Sequence, residues 1–163
     1  MTIEDARDED LPAILAIYNE VIRTSTAIYR EDPSTLEERR VWHEAKKKDG
    51  YPLLVARTED AAVTGFATFG DFRAWPGYRF TVEHSVHVAE GLRGQGTGTA
   101  LMRVLLERAK ALGKHVMIAG IDADNAGSIR MHERLGFEAT GHLRQVGWKF
   151  DRWLDLVFMQ RTL

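Results

Sequence analysis

The chain has 163 residues, 44% of them hydrophobic, and a formal net charge of −2, which fits one domain with its own core and predicts no second one. That charge supplies no basic stripe of the kind that neutralises nucleic-acid backbones, and the absence of cysteine excludes a disulfide framework and a thiolate nucleophile. The acidic opening MTIEDARDED lacks the basic-then-apolar order of a signal peptide, and no apolar run approaches the roughly 20 residues a bilayer demands, so a cytoplasmic protein without membrane or nucleic-acid partners is expected.

Thr2 to Arg7 alternates as a first strand. Asp8 to Asp10 followed by Pro12 is helix-start chemistry, and Ile14, Ile17, Tyr18 and Val21 recur at helical spacing in a helix ending near Thr24. Thr24 to Pro33, TSTAIYREDP, is a polar connector with Ile28 and Tyr29 embedded; such loops either cover something or bind something. Ser34 with Glu37 reads as a capping box for a second, mostly solvated helix that Gly50 stops, and its Lys46, Lys47 and Lys48 suit the negative end of the helix dipole. PLLVART and AVTGFATFGDF read as the strands of an antiparallel hairpin. The turn RAWPGY then exposes Arg73, Ala74 and Trp75, where an arginine and an indole form a candidate clamp for a substrate carboxylate.

The segment Thr81 to Leu101, TVEHSVHVAEGLRGQGTGTAL, runs from a strand through a glycine-rich turn into a helix. On the strand, Val82, Val86 and Val88 fall on one face and Glu83, Ser85 and His87 on the other. Unpaired helix N–H groups and the helix dipole point at such a loop, which makes it an anion site suited to phosphate. The helix is predicted from Thr99 to Leu112, with Leu101, Val104, Leu105 and Leu112 on one face, ending at Gly113. Lys114 to Ile121 is an apolar strand. Asp124 is the predicted cap of a short helix that places Asn125, Ser128 and His132 on one face and stops at Gly136. Two further antiparallel strands close the chain, one from Phe137 and one over Trp148 to Phe158.

Two standard nucleotide loops fail on spacing: a dinucleotide fingerprint wants a third glycine where Thr99 stands, and a Walker loop wants lysine in place of Thr97. What does fit is the pattern R-x-x-G-x-G at Arg93, Gly96 and Gly98, entered from a Val-x-Val strand end. Here the chain resembles the GNAT superfamily of acyl-CoA-dependent N-acetyltransferases. A second match falls on Asn125, Ser128, His132 and Gly136-Phe137. The resemblance covers essentially the whole chain and implies an α+β, single-domain fold over residues 1–163, with a mixed, mostly antiparallel sheet of about seven strands and about four helices on both faces. It implies acetyl-CoA as cosubstrate, held at its pyrophosphate by Arg93, Gly94, Gln95, Gly96, Thr97, Gly98 and Thr99. Val86, His87 and Val88 then flank the pantetheine arm, and Asn125 and Ser128 bond it or its surroundings.

Within the superfamily, TSTAIYREDP, TVEHSVHV, SIRMHERLGF and GWKFDRWLD are similar to the phosphinothricin and methionine sulfoximine acetyltransferases. That similarity implies acetylation of the α-amine of a small amino-acid derivative, contacts to it from Arg73 to Trp75 and from Glu83, His84 and Ser85, and a homodimer. His132 stands where many superfamily members place a tyrosine general acid.

Acetyl transfer needs a neutral amine, and the candidate base is Glu83, acting directly or through a water. An unperturbed carboxylate, with a pKa near 4.3, suits this poorly, so desolvation is expected. The resemblance places the oxyanion donor at the backbone of His87 or Val88, and His132 is the candidate acid for the leaving thiolate. No metal site is expected. His84 and His87 are three apart on a strand and face opposite ways, and His43, His115 and His142 lack ligand spacing. Ser85 has no base partner in the sequence, which leaves direct attack of the amine on the thioester. The alternatives are a non-catalytic acetyl-CoA sensor and an enzyme that acetylates protein or peptide termini.

Overall fold

Alternation in a single short strand fixes how the helices are layered. In the computed structural model, which describes residues 1–163, strand β2 (Leu53–Arg57) packs Leu53 and Val55 against helix α1 (Leu11–Thr24), and Leu54 and Ala56 against helix α3 (Thr97–Ala111). Period-two side chains thus serve two cores, one on each face of one sheet. The remaining strands are β1 (Thr2–Asp5), β3 (Val63–Asp71), β4 (Thr81–Val88), β5 (Val116–Asp122), β6 (Glu138–Lys149) and β7 (Arg152–Thr162). Their spatial order is β1-β2-β3-β4-β5-β7-β6, and only β4 and β5 run parallel. Helix α2 (Leu36–Asp49) packs on α1, while Leu135, just past α4 (Ala126–Arg134), belongs to the core under α3. The result is the α+β architecture expected, a seven-stranded mixed sheet with four helices on its two faces.

Local chemistry departs from the predicted elements in five respects. Thr35 rather than Ser34 caps α2: its Oγ1 accepts from the Glu38 N–H at 3.1 Å, and Ser34 instead donates its hydroxyl to the Glu38 carboxylate. Gly50 does end the helix, at φ +71°. Helix α3 starts at Thr97, because Gly96, at φ +89°, turns the chain two residues earlier than expected. Its buried stripe is Leu101, Met102, Leu105, Leu106 and Ala109, rotated from the predicted one, and Leu112 is left exposed. The cap of α4 is Asn125, whose Oδ1 accepts from the Ser128 N–H, not Asp124. Helix α2 is also less solvated than expected: Arg39 is buried with its guanidinium 4.3 Å from the Tyr18 ring and 4.7 Å from Trp42, and Lys46 donates to the Phe69 carbonyl.

Candidate active site

Strands β4 and β5 pair over three residues only, Thr81 to Glu83 against Val116 to Ile118. Beyond that point β4 stays with β3 and β5 continues along β7, so the sheet opens into a wedge with Glu83 at its apex. The Phe72 N–H donates to the Thr81 carbonyl and the Ala89 N–H to the Thr64 carbonyl, and the β3–β4 register between them is unbroken. Antiparallel alternation therefore commits the backbone groups of Glu83, Ser85 and His87 to β3 and turns those of His84, Val86 and Val88 into the wedge. Of the two backbone N–H groups that sequence offered as oxyanion donor, Val88 faces the opening and His87 does not.

The wedge leads to the glycine loop. Gly91, Gly94 and Gly96 all have positive φ, a turn that side chains would strain, and it ends at the first turn of α3, where the amides of Thr97, Gly98 and Thr99 have no helical partner. At Gly98 a Cβ would stand 3.3 Å from the Met131 sulfur and 3.7 Å from Val88, so α3, α4 and the strand end converge closely there and a side chain would push Met131 aside. The Arg93 side chain does not reach across the loop. Its Nε donates to the Val88 carbonyl at 3.1 Å, and its other guanidinium nitrogen pairs with Glu20 of α1 at 2.5 Å, which pins the loop to β4 and α1.

A cavity of about 1140 Å³ joins these parts. Val86, His87, Val88, Arg93, Gly94, Gly96, Gly98, Thr99, Asn125 and Ser128, all singled out from sequence, line it, whereas Gln95 and Thr97 do not. Sequence reasoning missed three cations on the same wall, Arg103 on α3 and Arg130 and Arg134 on α4, and also the connector residues Thr24 to Ala27. The i, i+4 spacing of Arg130 and Arg134 was the available signal for a positive helix face. Partnerless amides at a helix start, small residues and unpaired arginines are a donor set for phosphate, and the cavity fits a long phosphorylated ligand.

On the α1 face of the sheet, burial holds the Glu83 carboxyl above the usual carboxylate range, opposed by the charge of Arg73. Gly120 of β5 makes room for it: a Cβ there would lie 3.0 Å from Glu83 Oε1 and 3.7 Å from Leu156 and Phe158. Phe72 meets Phe158 and Tyr78 edge-on, which puts an aromatic wall in the same neighbourhood. Arg73 lies on the exposed turn with its guanidinium 5.1 Å from the Phe72 ring, and Trp75 is 75% exposed.

His132 does not sit as an acid should. It is buried at 1% exposure, and its Nδ1 lies 2.7 Å from the Ser128 carbonyl, so that nitrogen carries the proton. Nε2 then accepts from Nε2 of His84 at 2.9 Å, with the ring planes 15° apart. This leaves His84 Nδ1 bare and without a partner. Burial pushes both histidines toward the neutral form, and a neutral His132 with both nitrogens engaged has no N–H to give a thiolate. The arrangement corrects the expected acid role to one of joining α4 to β4. His87 packs instead against Phe66 and Tyr18 on the opposite face, where burial lowers its pKa to about 4.

The family model for the Acetyltransferase (GNAT) family matches residues 14–137. The chain belongs to that family. This acetyltransferase is 51% identical over 162 residues to the L-methionine sulfoximine/L-methionine sulfone acetyltransferase of Pseudomonas paraeruginosa, an alignment spanning 99% of this chain and 94% of the relative. Among solved structures, the ribosomal-protein-alanine N-acetyltransferase of Brucella melitensis is 48% identical with a TM-score of 0.98 over the whole of both chains. The phosphinothricin acetyltransferase of Sinorhizobium meliloti, solved in complex with acetyl-CoA, is 41% identical with a TM-score of 0.97, covering 99% of this chain and 88% of that one. No helix of this acetyltransferase is long and apolar enough to cross a membrane.

Proposed function

We propose that this acetyltransferase moves the acetyl group of acetyl-CoA to the α-amine of a small amino-acid-like substrate of the methionine sulfoximine, methionine sulfone or phosphinothricin type. The observation that carries the reading is the wedge between β4 and β5, which runs from the glycine loop to a desolvated Glu83. The first-turn amides of α3 and the loop amides, with Arg103, Arg130 and Arg134, hold the phosphates; Arg93 serves by fixing the loop. The pantetheine arm lies along the exposed backbone of Val86 and Val88, beside Asn125 and Ser128.

At the apex the substrate amine gives a proton to Glu83, directly or through one water, and its nitrogen attacks the thioester carbon. The Val88 N–H stabilises the oxyanion, the C–S bond breaks, and the proton still carried by the attacking nitrogen passes through water to the departing thiolate, leaving the amide and the coenzyme A thiol. A carboxyl whose pKa is raised by burial is a better match to an ammonium proton than an exposed glutamate. Arg73 and Trp75, with Ala74 between them, close on the substrate carboxylate, and Ser85 and the aromatic residues near Glu83 receive the side chain. His84 supports the site through its pairing with His132.

Likeness to the ribosomal-protein-alanine N-acetyltransferase of Brucella melitensis supports a second reading, acetylation of a protein N-terminus, and one assay decides between them. Thiol release from acetyl-CoA is followed with methionine sulfone, methionine sulfoximine, phosphinothricin, free amino acids and an alanine-initiated peptide. Turnover with the sulfur and phosphorus analogues is expected. Turnover with the peptide alone would overturn the small-substrate reading, and acetyl-CoA binding with no turnover on any amine would leave a sensor. The proposal extends to one domain over residues 1–163, a cytoplasmic enzyme, and a homodimer. In the dimer a second copy covers Val146, Trp148 and Trp153 on the outer strands, which are 54%, 51% and 59% exposed. A monomeric mass in light scattering would remove the dimer.

A further inference from the structure

The connector TSTAIYREDP and the hairpin sequence GWKFDRWLD, far apart in the chain and without a part in the chemistry above, meet each other in the fold. Lys149 is fully buried, and its ammonium donates to three carbonyls: Ile22 at 2.6 Å, Ser25 at 2.7 Å and Ile28 at 2.7 Å. Three donors meet three acceptors, one of them among the last carbonyls of α1, where the helix dipole favours a cation. One residue on, the Phe150 N–H donates to Glu31 at 2.8 Å. Phe150 and Asp151 form the two-residue turn between β6 and β7, both with positive φ, a conformation that side chains rarely adopt and that the surroundings must hold in place. Tyr29 packs against Gly147, where any Cβ would collide with its ring, and donates its hydroxyl to the Asp155 carbonyl at 3.0 Å.

These contacts bracket the stretch of connector, Thr24 to Ala27, that lines the cavity. We infer that Lys149 is a positioning residue: its ammonium, with Gly147 and Tyr29, clamps the connector to the β6–β7 hairpin so that it stands as the outer wall of the acetyl-CoA cleft. Lys149 touches neither substrate nor coenzyme; it acts through the connector backbone. The inference rests on the reading of that cavity as the acetyl-CoA site.

Two variants test it on the full chain. Lys149→Met keeps an unbranched side chain one atom shorter and removes all three hydrogen bonds, and Gly147→Ala keeps the ammonium but displaces the Tyr29 ring. Each is expected to weaken acetyl-CoA binding by calorimetry about tenfold, as for one lost polar interaction, and to raise KM for acetyl-CoA more than it lowers kcat. Each is also expected to speed tryptic cleavage after Arg23 and Arg30, the basic residues flanking the wall, in protein that is still folded by circular dichroism. Acetyl-CoA should slow that cleavage in the unaltered enzyme. Should Lys149→Met not fold, Gly147→Ala decides alone. A folded variant with unchanged acetyl-CoA affinity and unchanged cleavage would overturn the inference. Loss of acetyl-CoA binding by the unaltered protein would instead strike the reading of the cavity, with the tryptic comparison still reporting on the clamp.

Discussion

Gly120→Ala separates stability from catalysis with a single methyl group. The added Cβ would stand 3.0 Å from Glu83 Oε1, about 0.4 Å inside ordinary contact, while Leu156 and Phe158 at 3.7 Å would accept it without adjustment. The carboxylate is the partner able to move. If a 1 Å misplacement of a reacting group costs about 10²-fold in rate, then 0.4 Å costs about five- to tenfold. For the fold the sign is opposite. Glycine inside a strand is worse than alanine by roughly 0.5–1 kcal/mol, and no strained φ at position 120 offsets the gain, so Tm should rise by about 1–4 °C. The assay is thiol release at saturating acetyl-CoA beside a thermal melt, repeated in a Glu83→Gln background. There Gly120→Ala should do nothing further to the rate, because the group it displaces has lost its function. An unchanged rate in the single variant, or a loss that simply multiplies with Glu83→Gln, would refute the placement of Glu83 as base and of Gly120 as the space that seats it.

Glu83→Gln itself should lower kcat by about 10²- to 10⁴-fold and leave acetyl-CoA affinity intact, whereas Gly96→Ala, which forces a side chain to φ +89° at the start of α3, should weaken acetyl-CoA binding first; calorimetry with steady-state rates reads both. Arg73→Ala should raise KM for the amino acid with little change in kcat, the signature of lost ground-state binding, and an unchanged KM would detach Arg73 from the carboxylate. Stability should depend on acid. His84, His87 and His132 are held neutral in the folded protein by burial, so below the unfolded value of about 6.5 the unfolded chain takes up more protons. Stability is then fully present above that pH and falls as pH drops, by up to about 1.4 kcal/mol per pH unit for each histidine. For His87 the loss levels off near its folded value of about 4. Urea midpoints at pH 8, 6.5 and 5 measure the slope, which His87→Gln should make shallower.

The pattern of apolar residues carried most of the architecture, because strands β2 to β5 and helix α1 each have one decisive period. What escaped it were choices made by contacts distant in sequence. The stripe on α3 follows Met102 and Leu106 because the sheet beneath presents Leu54, Phe69 and Met117 at that angle, which no window along the helix contains. Ser34 and Thr35 are both competent caps; Ser34 was diverted by the Asn19 side chain, which bonds its N–H and carbonyl from α1. At the site, the glycine loop and the Glu83 face were legible in local spacing, whereas the pairing of His84 with His132 spans 48 residues and turns a candidate acid into a buried tie. Arg93 lines the cavity that its motif pointed to, but its pairing with Glu20, 73 residues earlier, left no mark in local spacing.

The short parallel ladder between β4 and β5 gives this sheet four free borders instead of two, a pair of them in its middle. Unpaired strand borders invite other chains to add to them, and this protein keeps two such borders inside, walled by α3, α4 and the clamped connector. A ligand arm lying there acts as a missing strand. Amide hydrogens on Val86 and Val88 should accordingly exchange with solvent faster than those of Ser85 and His87, and ligand should slow them selectively. Ligand occupancy should also raise the melting temperature with the logarithm of concentration. Part of the fold's cohesion is thus supplied by the cosubstrate it consumes.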